Sequence, residues 1–201
     1  VPAGHRYRGK AKGGDEERDK AASHDLTSIL FPDTSRSAWQ IPAQPDGTGP
    51  RHFVFSADEK FVYIVGELSG TVDVYAVQDG IWTPIQRETI DFSKGDGPKA
   101  SADIHISPDG KWLLASNRIT QNSLVVFKIE SSGRLIFNRE VGVGKVPRNF
   151  QFDASGKKLF VACKDENRIQ QFSFNPETGE LSDLKDDIQV NSPVALLDVR
   201  H

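Results

Sequence analysis

The stretch that decides the fold covers residues 102–116 and reads Ala-Asp-Ile-His-Ile-Ser-Pro-Asp-Gly-Lys-Trp-Leu-Leu-Ala-Ser. A short apolar run meets a polar turn, and a second apolar run follows the turn. Residues 49–65 and 147–162 repeat this pattern. The β-branched and aromatic content of the apolar runs favours β-strands joined by hairpins. The sequence therefore contains an internal repeat whose unit begins with a β-hairpin.

The repeat has the period of a β-propeller blade. Aligning the turn residues Asp58, Asp109 and Ser155 gives spacings of 51 and 46 residues. A period of roughly 40–50 residues is typical of a four-stranded blade. The strands predicted for the three units are 52–55, 61–65, 71–76 and 82–87, then 103–106, 112–116, 123–129 and 134–139, and finally 148–152, 158–162, 168–174 and 181–188. The predicted fold class is therefore all-β, a β-propeller with three visible blades.

Three blades do not close a ring, because propellers have about four to eight. Residues 192–201 begin another first strand, which predicts a closing strand for a blade started elsewhere in the protein. Residues 1–46 fit the repeat poorly. Within them, residues 5–20 read as disordered or solvated, and residues 28–34 read as a candidate remnant of an earlier blade. We expect a division into 1–46 and 47–201, and the absence of methionine indicates a fragment or missing residues.

Composition narrows the classes of function. The net charge of −3 gives no reason to expect nucleic acid or an anionic membrane as a partner, and no apolar run approaches the ~20 residues of a membrane span. Residues 1–23 lack the apolar centre of a signal peptide, and a single cysteine, Cys163, suits a reducing compartment, so the predicted location is the cytoplasm. Zinc-like Cys/His spacing, a Walker loop and a dinucleotide glycine pattern are missing, which predicts a site without metal or cofactor. The oligomeric state stays open.

Three motifs resemble one known family. Gly-Pro-Arg-His-Phe at 49–53 precedes Glu-Leu-Ser-Gly-Thr-Val-Asp-Val-Tyr at 67–75, Ser-Ala-Asp-Ile-His-Ile-Ser-Pro-Asp-Gly at 101–110 precedes Ser-Asn-Arg at 116–118, and Pro-Arg-Asn-Phe stands at 147–150. They resemble the seven-bladed β-propeller lactonase family, which includes bacterial 6-phosphogluconolactonase and fungal carboxy-cis,cis-muconate cyclase. The resemblance covers residues 47–201. It implies a seven-bladed ring in the full protein and a lactone as substrate.

Strand geometry predicts where the polar residues meet. A chain that goes down one strand of a hairpin and up the next returns to the same end of the sheet, so Arg51 and Glu67 are expected at one mouth of the channel. The same argument brings polar residues of the other two units to that mouth. The predicted mouth residues are Arg51, His52, Glu67, Asp103, Arg118, Arg148, Asn149 and Lys164. A basic patch in an acidic chain suits a small anionic substrate.

Lactone hydrolysis needs a base for the attacking water and positive charge where the oxyanion develops. Glu67 is the predicted base, and Arg51 and Arg118 are the predicted clamps. The resemblance implies the same three positions, together with a histidine from an earlier blade for which His24 is a weak candidate. Predicted substrate-binding residues are His52, Asp103, His105, Arg148 and Lys164. The structural alternatives are ion pairs around the channel for the two arginines, packing for His105 and a buried strand position for Cys163. A structural hydrogen bond is the alternative for His52. Asp103 lies on the same side of its strand as His105, so orientation of that ring is its alternative to a place at the mouth.

The function predicted from these residues is hydrolysis of a sugar-derived lactone, with 6-phosphogluconolactone as the expected substrate. One alternative is a non-catalytic propeller that binds a partner through the same mouth, since fold alone does not decide function. Another is a muconate-type lactone cyclase. Convergence of Arg51, Glu67 and Arg118 on one point favours an enzyme, whereas splayed side chains favour a binding protein.

Overall fold

The computed structural model describes residues 42–94 and 97–197, and this part of the chain is built from β-strands arranged in three sheets. The strands are β1 Pro50–Phe55, β2 Phe61–Gly66, β3 Thr71–Gln78, β4 Ile81–Thr89, β5 Ser101–Ile106, β6 Trp112–Asn117, β7 Ser123–Ile129, β8 Leu135–Gly142, β9 Pro147–Phe152, β10 Lys158–Cys163, β11 Arg168–Asn175, β12 Glu180–Asp183 and β13 Ile188–Gln189. A single turn of 3₁₀ helix covers Lys164–Glu166. The all-β prediction is confirmed.

Each sheet is an antiparallel meander in chain order. The first sheet has the order β1-β2-β3-β4, the second β5-β6-β7-β8, and the third β9-β10-β11-β12 with β13 also paired to β11. The predicted fourth strand at 181–188 is wrong in extent. Leu184 N extends the β11–β12 ladder with a bond to Gln171 O at 3.0 Å. The chain then loops out, and pairing with β11 resumes at Ile188 with the register shifted by two residues.

The turn between the first two strands of each sheet is fixed by a serine and an aspartate. In the second sheet Ser107 Oγ donates to Asp109 Oδ1 at 2.6 Å. In the third sheet the two residue types exchange places, and Ser155 Oγ donates to Asp153 Oδ2 at 2.6 Å. These short polar side chains satisfy backbone and hydroxyl groups that a hairpin turn would otherwise leave to water. The repeat aligned in the sequence is therefore one structural unit.

The sheets pack face to face, and their first strands lie side by side. One apolar cluster joins the first and second sheets through residues such as Tyr63 and Phe127, and another joins the second and third through Trp112 and Phe172. Strands β1 and β5 contact each other, as do β5 and β9. First strands that meet while the outer strands fan apart are the arrangement of propeller blades.

The segment after the third sheet lies beside that sheet's first strand. Leu196 N donates to Asn149 Oδ1 at 2.6 Å, just as Phe150 N donates to Asp103 Oδ2 at 3.1 Å one blade earlier. Within the described residues, 193–197 have no partner strand. The closing strand therefore stays a prediction. Its last residues, the 28–34 remnant, the charged 5–20 segment and His24 lie outside the described residues.

A cavity of about 290 Å³ opens between this segment and the third sheet. Its apolar walls are Phe152, Phe160 and Ile169 of the sheet and Leu196 and Leu197 of the segment. None of the predicted site residues lines it. The cavity is therefore separate from the candidate site.

Candidate active site

Three predicted site residues occupy the same position in successive sheets. Glu67, Arg118 and Lys164 each follow the second strand of their sheet. Their backbone N–H groups donate to the carbonyl eighteen residues earlier, at 2.8, 3.0 and 3.1 Å respectively. This repeated bond ties the end of each second strand to the start of the first strand. It places the three side chains at the same end of the three sheets, as the strand geometry predicts.

The first strand of each sheet carries a β-bulge at this same end. Arg51 is the extra residue between the pairs Pro50–Gly66 and His52–Val65, and Arg148 takes the equivalent place in the third sheet. In the second sheet the shift falls within Ala102–Asp103. A bulge leaves one residue out of the ladder and re-aims its side chain. The bulges therefore turn Arg51 and Arg148 away from the alternation of their strands.

Two arginines from different sheets converge on one glutamate. Arg118 Nη2 of the second sheet donates to Glu67 Oε1, and Arg51 Nε lies 3.4 Å from Glu67 Oε2. Arg118 is also anchored by Nε to Ala100 O at 3.2 Å and by Nη2 to Ser101 O at 3.3 Å. Arg51 Nη1 donates to the carbonyl of Ala102 across the boundary between the sheets. The three side chains form one cluster, which is the convergence that favours an enzyme.

Burial differs within this cluster. The side chain of Arg118 is only 9% exposed, whereas that of Glu67 is 36% exposed. Burial lowers the pKa of Arg51, and the neighbouring Arg118 guanidinium lowers it further, while the Glu67 carboxylate opposes both. Arginine nevertheless keeps its proton in proteins. The cluster thus presents two fixed cations and a carboxylate that solvent reaches.

Asp103 lies beneath the cluster as a buried carboxylate with four donors. Its side chain is 4% exposed. His52 Nδ1 lies 2.7 Å from Oδ1, and His105 Nε2 lies 3.0 Å from Oδ2. Asn149 Nδ2 and the backbone N–H of Phe150 also donate to Oδ2. The carboxylate joins the first strands of all three sheets.

The charge state of Asp103 follows from these contacts. Burial by itself raises the pKa of this carboxyl, but hydrogen bonds from His105 and His52, the charge of His105 and the Phe150 N–H outweigh burial. The net pKa is far below the ordinary value, so Asp103 is ionised at neutral pH. Because protein donors surround both oxygens, Asp103 is placed to hold other side chains in position.

The two histidines differ in their surroundings. His105 packs edge-on against the Phe150 ring, with centroids 4.9 Å apart, and is half-buried. The side chain of His52 is 44% exposed, and its Nε2 lies 3.2 Å from Arg51 Nη1. Of the two, His52 is the one that adjoins the arginine–glutamate cluster.

Arg148 and Lys164 extend the basic character toward the third sheet. The charge of Arg148 contributes to the lowered pKa of Arg51, which places it near the cluster. Lys164 Nζ lies 3.3 Å from Asp165, a neighbour on the same turn of helix.

Cys163 is fully buried, and burial raises the pKa of its thiol to about 11. Both observations agree with a buried strand position for this residue.

Asn149 has a larger part than the sequence suggested. It stands at the strand position that His52 and Asp103 occupy in the other sheets, and it donates to Asp103 while accepting the Leu196 N–H. Aligning the three first strands would have shown that these residues share one position.

In the described part of the chain, no group of three or more His, Cys, Asp or Glu side chains is arranged to hold a metal ion. Nor does a helix there have the length and apolarity that crossing a membrane requires.

Comparison with known proteins agrees with this architecture. Residues 34–197 match the family described as "Lactonase, 7-bladed beta-propeller". The chain is 43% identical over 153 residues to a 6-phosphogluconolactonase of Formosa agariphila, which covers 75% of this chain and 43% of that protein. The chain belongs to the seven-bladed β-propeller lactonase family.

Solved structures of lactonases also resemble this chain. A putative 6-phosphogluconolactonase from Bacteroides fragilis matches with a TM-score of 0.71 and 40% identity, over 78% of this chain and 42% of that one. The periplasmic gluconolactonase of Pseudomonas aeruginosa matches with a TM-score of 0.72 and 34% identity, over 77% of this chain and 43% of that one. The chain therefore spans less than half the length of these relatives.

Proposed function

We propose that the full-length protein hydrolyses a sugar-derived lactone, with 6-phosphogluconolactone as the substrate. The observation that carries the proposal is the cluster in which Arg51 and Arg118 converge on the solvent-accessible carboxylate of Glu67. Relatives named 6-phosphogluconolactonase support the choice of substrate. Since this chain spans less than half of those relatives, the proposal is made for the whole protein.

The proposed reaction assigns one task to each member of the cluster. Glu67 accepts a proton from water as the water oxygen bonds to the lactone carbonyl carbon. The carbonyl π electrons move to oxygen, and Arg51 and Arg118 stabilise that negative charge. When the tetrahedral intermediate collapses, the bond to the ring oxygen breaks, and the ring oxygen leaves as an alcohol after taking up a proton. The new carboxylic acid loses its proton to solvent.

The remaining basic residues suit the anionic end of the substrate. Arg148 belongs to the charged surroundings of Arg51. Lys164 follows the second strand of the third sheet, at the position equivalent to Glu67. We assign both to the phosphate, because guanidinium and ammonium groups bind phosphate oxygens by charge-assisted hydrogen bonds. His52, Asp103 and His105 complete the binding region, with Asp103 acting through the donors around it. The proposed location is the cytoplasm, the proposed site uses neither metal nor cofactor, and nucleic acid and membranes are not proposed partners.

The test measures release of acid from 6-phosphogluconolactone by the purified full-length protein, with spontaneous hydrolysis subtracted. We expect acceleration well above the background, and a larger kcat/KM for the phosphorylated lactone than for gluconolactone. Binding without acceleration would identify a non-catalytic propeller instead. Turnover of carboxy-cis,cis-muconate with no effect on the lactone would identify a cyclase.

A further inference from the structure

Arg148 differs from the other arginines and the lysine at the mouth. Arg51, Arg118 and Lys164 each contact a carboxylate, whereas the Arg148 side chain has no hydrogen bond or ion pair within residues 42–94 and 97–197. The charge of Arg148 contributes to the lowered pKa of Arg51, so the two guanidinium groups lie near each other. A guanidinium without a carboxylate partner, next to a second one, is suited to bind an anion.

The backbone that leads into Arg148 is strained. Val146 has a φ of +54° and precedes Pro147. A β-branched residue rarely adopts a positive φ, and a residue before proline favours extended backbone. Gly49 precedes Pro50 at the equivalent position of the first sheet and has a φ of +57°, a conformation that glycine adopts readily. The third sheet therefore makes with valine the bend that the first sheet makes with glycine.

Asn122 holds this bend from the neighbouring sheet. It stands directly before β7, and its side-chain Oδ1 accepts the Val146 N–H at 2.8 Å. Its backbone carbonyl accepts the Val143 N–H at 2.9 Å, so one residue fixes both ends of the segment 143–146. Strained backbone persists only where the surrounding structure determines it. Asn122 therefore fixes the conformation of the residue that lies two positions before Arg148.

The same contact recurs one sheet later without an arginine. Asn167 stands directly before β11, and its Oδ1 accepts the Ser192 N–H at 2.9 Å. Ser192 has a φ of +47° and precedes Pro193. The residue after Pro193 is Val194, at the position that Arg148 takes in the third sheet. The asparagine contact is therefore a feature of the repeat, and of the two contacts only the earlier one leads to a cation at the mouth.

We propose that Asn122 is a positioning residue that directs Arg148 to the phosphate of the substrate and so sets the preference for a phosphorylated lactone. The proposal rests on the proposed lactonase function and on the assignment of Arg148 to the phosphate. No bond of the phosphate breaks during the hydrolysis, so Asn122 acts on substrate binding and leaves the chemistry at Glu67 unchanged. Its effect is expected in KM, and only for the phosphorylated substrate.

A double-mutant cycle tests whether Asn122 acts through Arg148. The experiment measures kcat and KM for 6-phosphogluconolactone and gluconolactone in the full-length wild-type protein, Asn122→Ala, Arg148→Ala and the double variant. We expect Asn122→Ala to raise KM for the phosphorylated lactone about tenfold and Arg148→Ala to raise it at least as much, with kcat nearly unchanged. The double variant should equal Arg148→Ala, because a positioning effect vanishes once its target is removed. Gluconolactone kinetics should stay at the wild-type values in all three.

The matched control is Asn167→Gly. This exchange removes the equivalent contact to Ser192, and glycine tolerates the Asn167 φ of +54°. We expect its kinetics to match those of the wild type for both lactones. A rise in KM for the phosphorylated lactone as large as that of Asn122→Ala would show that Arg148 is not what the contact serves, and would overturn the proposal.

Three results for Asn122 would also overturn its positioning role. These are Asn122→Ala kinetics equal to the wild type, an equal loss of activity on both lactones, and effects of the two single variants that multiply in the double variant. Arg148→Ala with an unchanged KM would remove the assignment of Arg148 to the phosphate, and the proposal with it. A wild-type protein that leaves both lactones at their spontaneous rates instead overturns the proposed function itself.

Discussion

Glu67 and Arg118 stand at equivalent positions of two neighbouring sheets, and Arg118 Nη2 donates a hydrogen bond to Glu67 Oε1 across the boundary. Neither sheet alone contains the candidate site. The apolar cluster that packs the first sheet against the second therefore also assembles the charged groups. Changes to Arg118 are expected to affect catalysis and the boundary between sheets together.

Replacing Arg118 by lysine tests the geometry of the clamp. Lysine keeps the charge but cannot donate at once to Glu67 and to the carbonyls of Ala100 and Ser101. We expect kcat/KM for lactone hydrolysis to fall about 100-fold. Arg134→Lys, at an exposed position that contacts the Ile85 carbonyl, is the matched control and is expected to change kcat/KM less than about twofold. Equal kinetics in both variants would remove Arg118 from the site.

The buried Asp103 carboxylate is expected to make the stability of the fold depend on pH in the acid range. Its pKa is lower in the folded chain than in the unfolded chain, so its stabilising contribution is present above the ordinary aspartate pKa of about 3.9 and is lost as the pH falls below it. We expect the free energy of unfolding, measured with urea from pH 7 to pH 3, to drop in acid. Asp103→Asn should lower this free energy by about 1–3 kcal/mol at pH 7 and flatten the drop.

The control for this prediction is Asp58→Asn. Hydrogen bonds from Ser56 and Lys60 lower the pKa of Asp58 as well, which gives the same sign of pH dependence. Its carboxylate is exposed, however, so solvent screens the effect. If the acid drop stays as steep in Asp103→Asn as in Asp58→Asn, the buried network contributes nothing to it.

A pair of glycines tests the turn of the repeat. Gly110 has a φ of +75°, a conformation that costs any other residue about 1 kcal/mol, although nothing crowds an added Cβ. Gly142 also has open space around an added Cβ, but its φ lies outside the left-handed region. Urea unfolding should show Gly110→Ala destabilised by about 1 kcal/mol and Gly142→Ala unchanged or slightly stabilised. Equal effects would show that backbone conformation does not limit this turn.

The fold was predictable because each repeat has the same short sequence pattern of apolar strands and polar turns. The serine–aspartate turn and the alternation of apolar strands fixed the sheets to within a few residues. The exception was the outer strand of the third sheet, predicted at 181–188. At its interruption the chain loops out, Arg168 pairs with Asp187, and the register on β11 shifts by two residues. These are tertiary features without a sequence pattern.

The site was predictable only in part. Counting residues around each hairpin correctly brought Arg51, Glu67 and Arg118 together, because antiparallel strands return to one edge. Strand alternation offered the contact of Asp103 with His105. It could not reveal the burial of Asp103, which depends on Asn149 and Phe150 from the next sheet. The β-bulge at Arg51 could not be predicted either, because no sequence motif identifies an extra residue in a strand.

The most direct test of the account compares kcat/KM for 6-phosphogluconolactone in Glu67→Gln and Glu140→Gln, two exchanges of the same chemistry. Glu140 is exposed on the outer strand β8, whereas Glu67 lies between the two arginines. We expect a fall of at least about 100-fold for Glu67→Gln and less than about twofold for Glu140→Gln. A Glu67→Gln enzyme as fast as the wild type would contradict it.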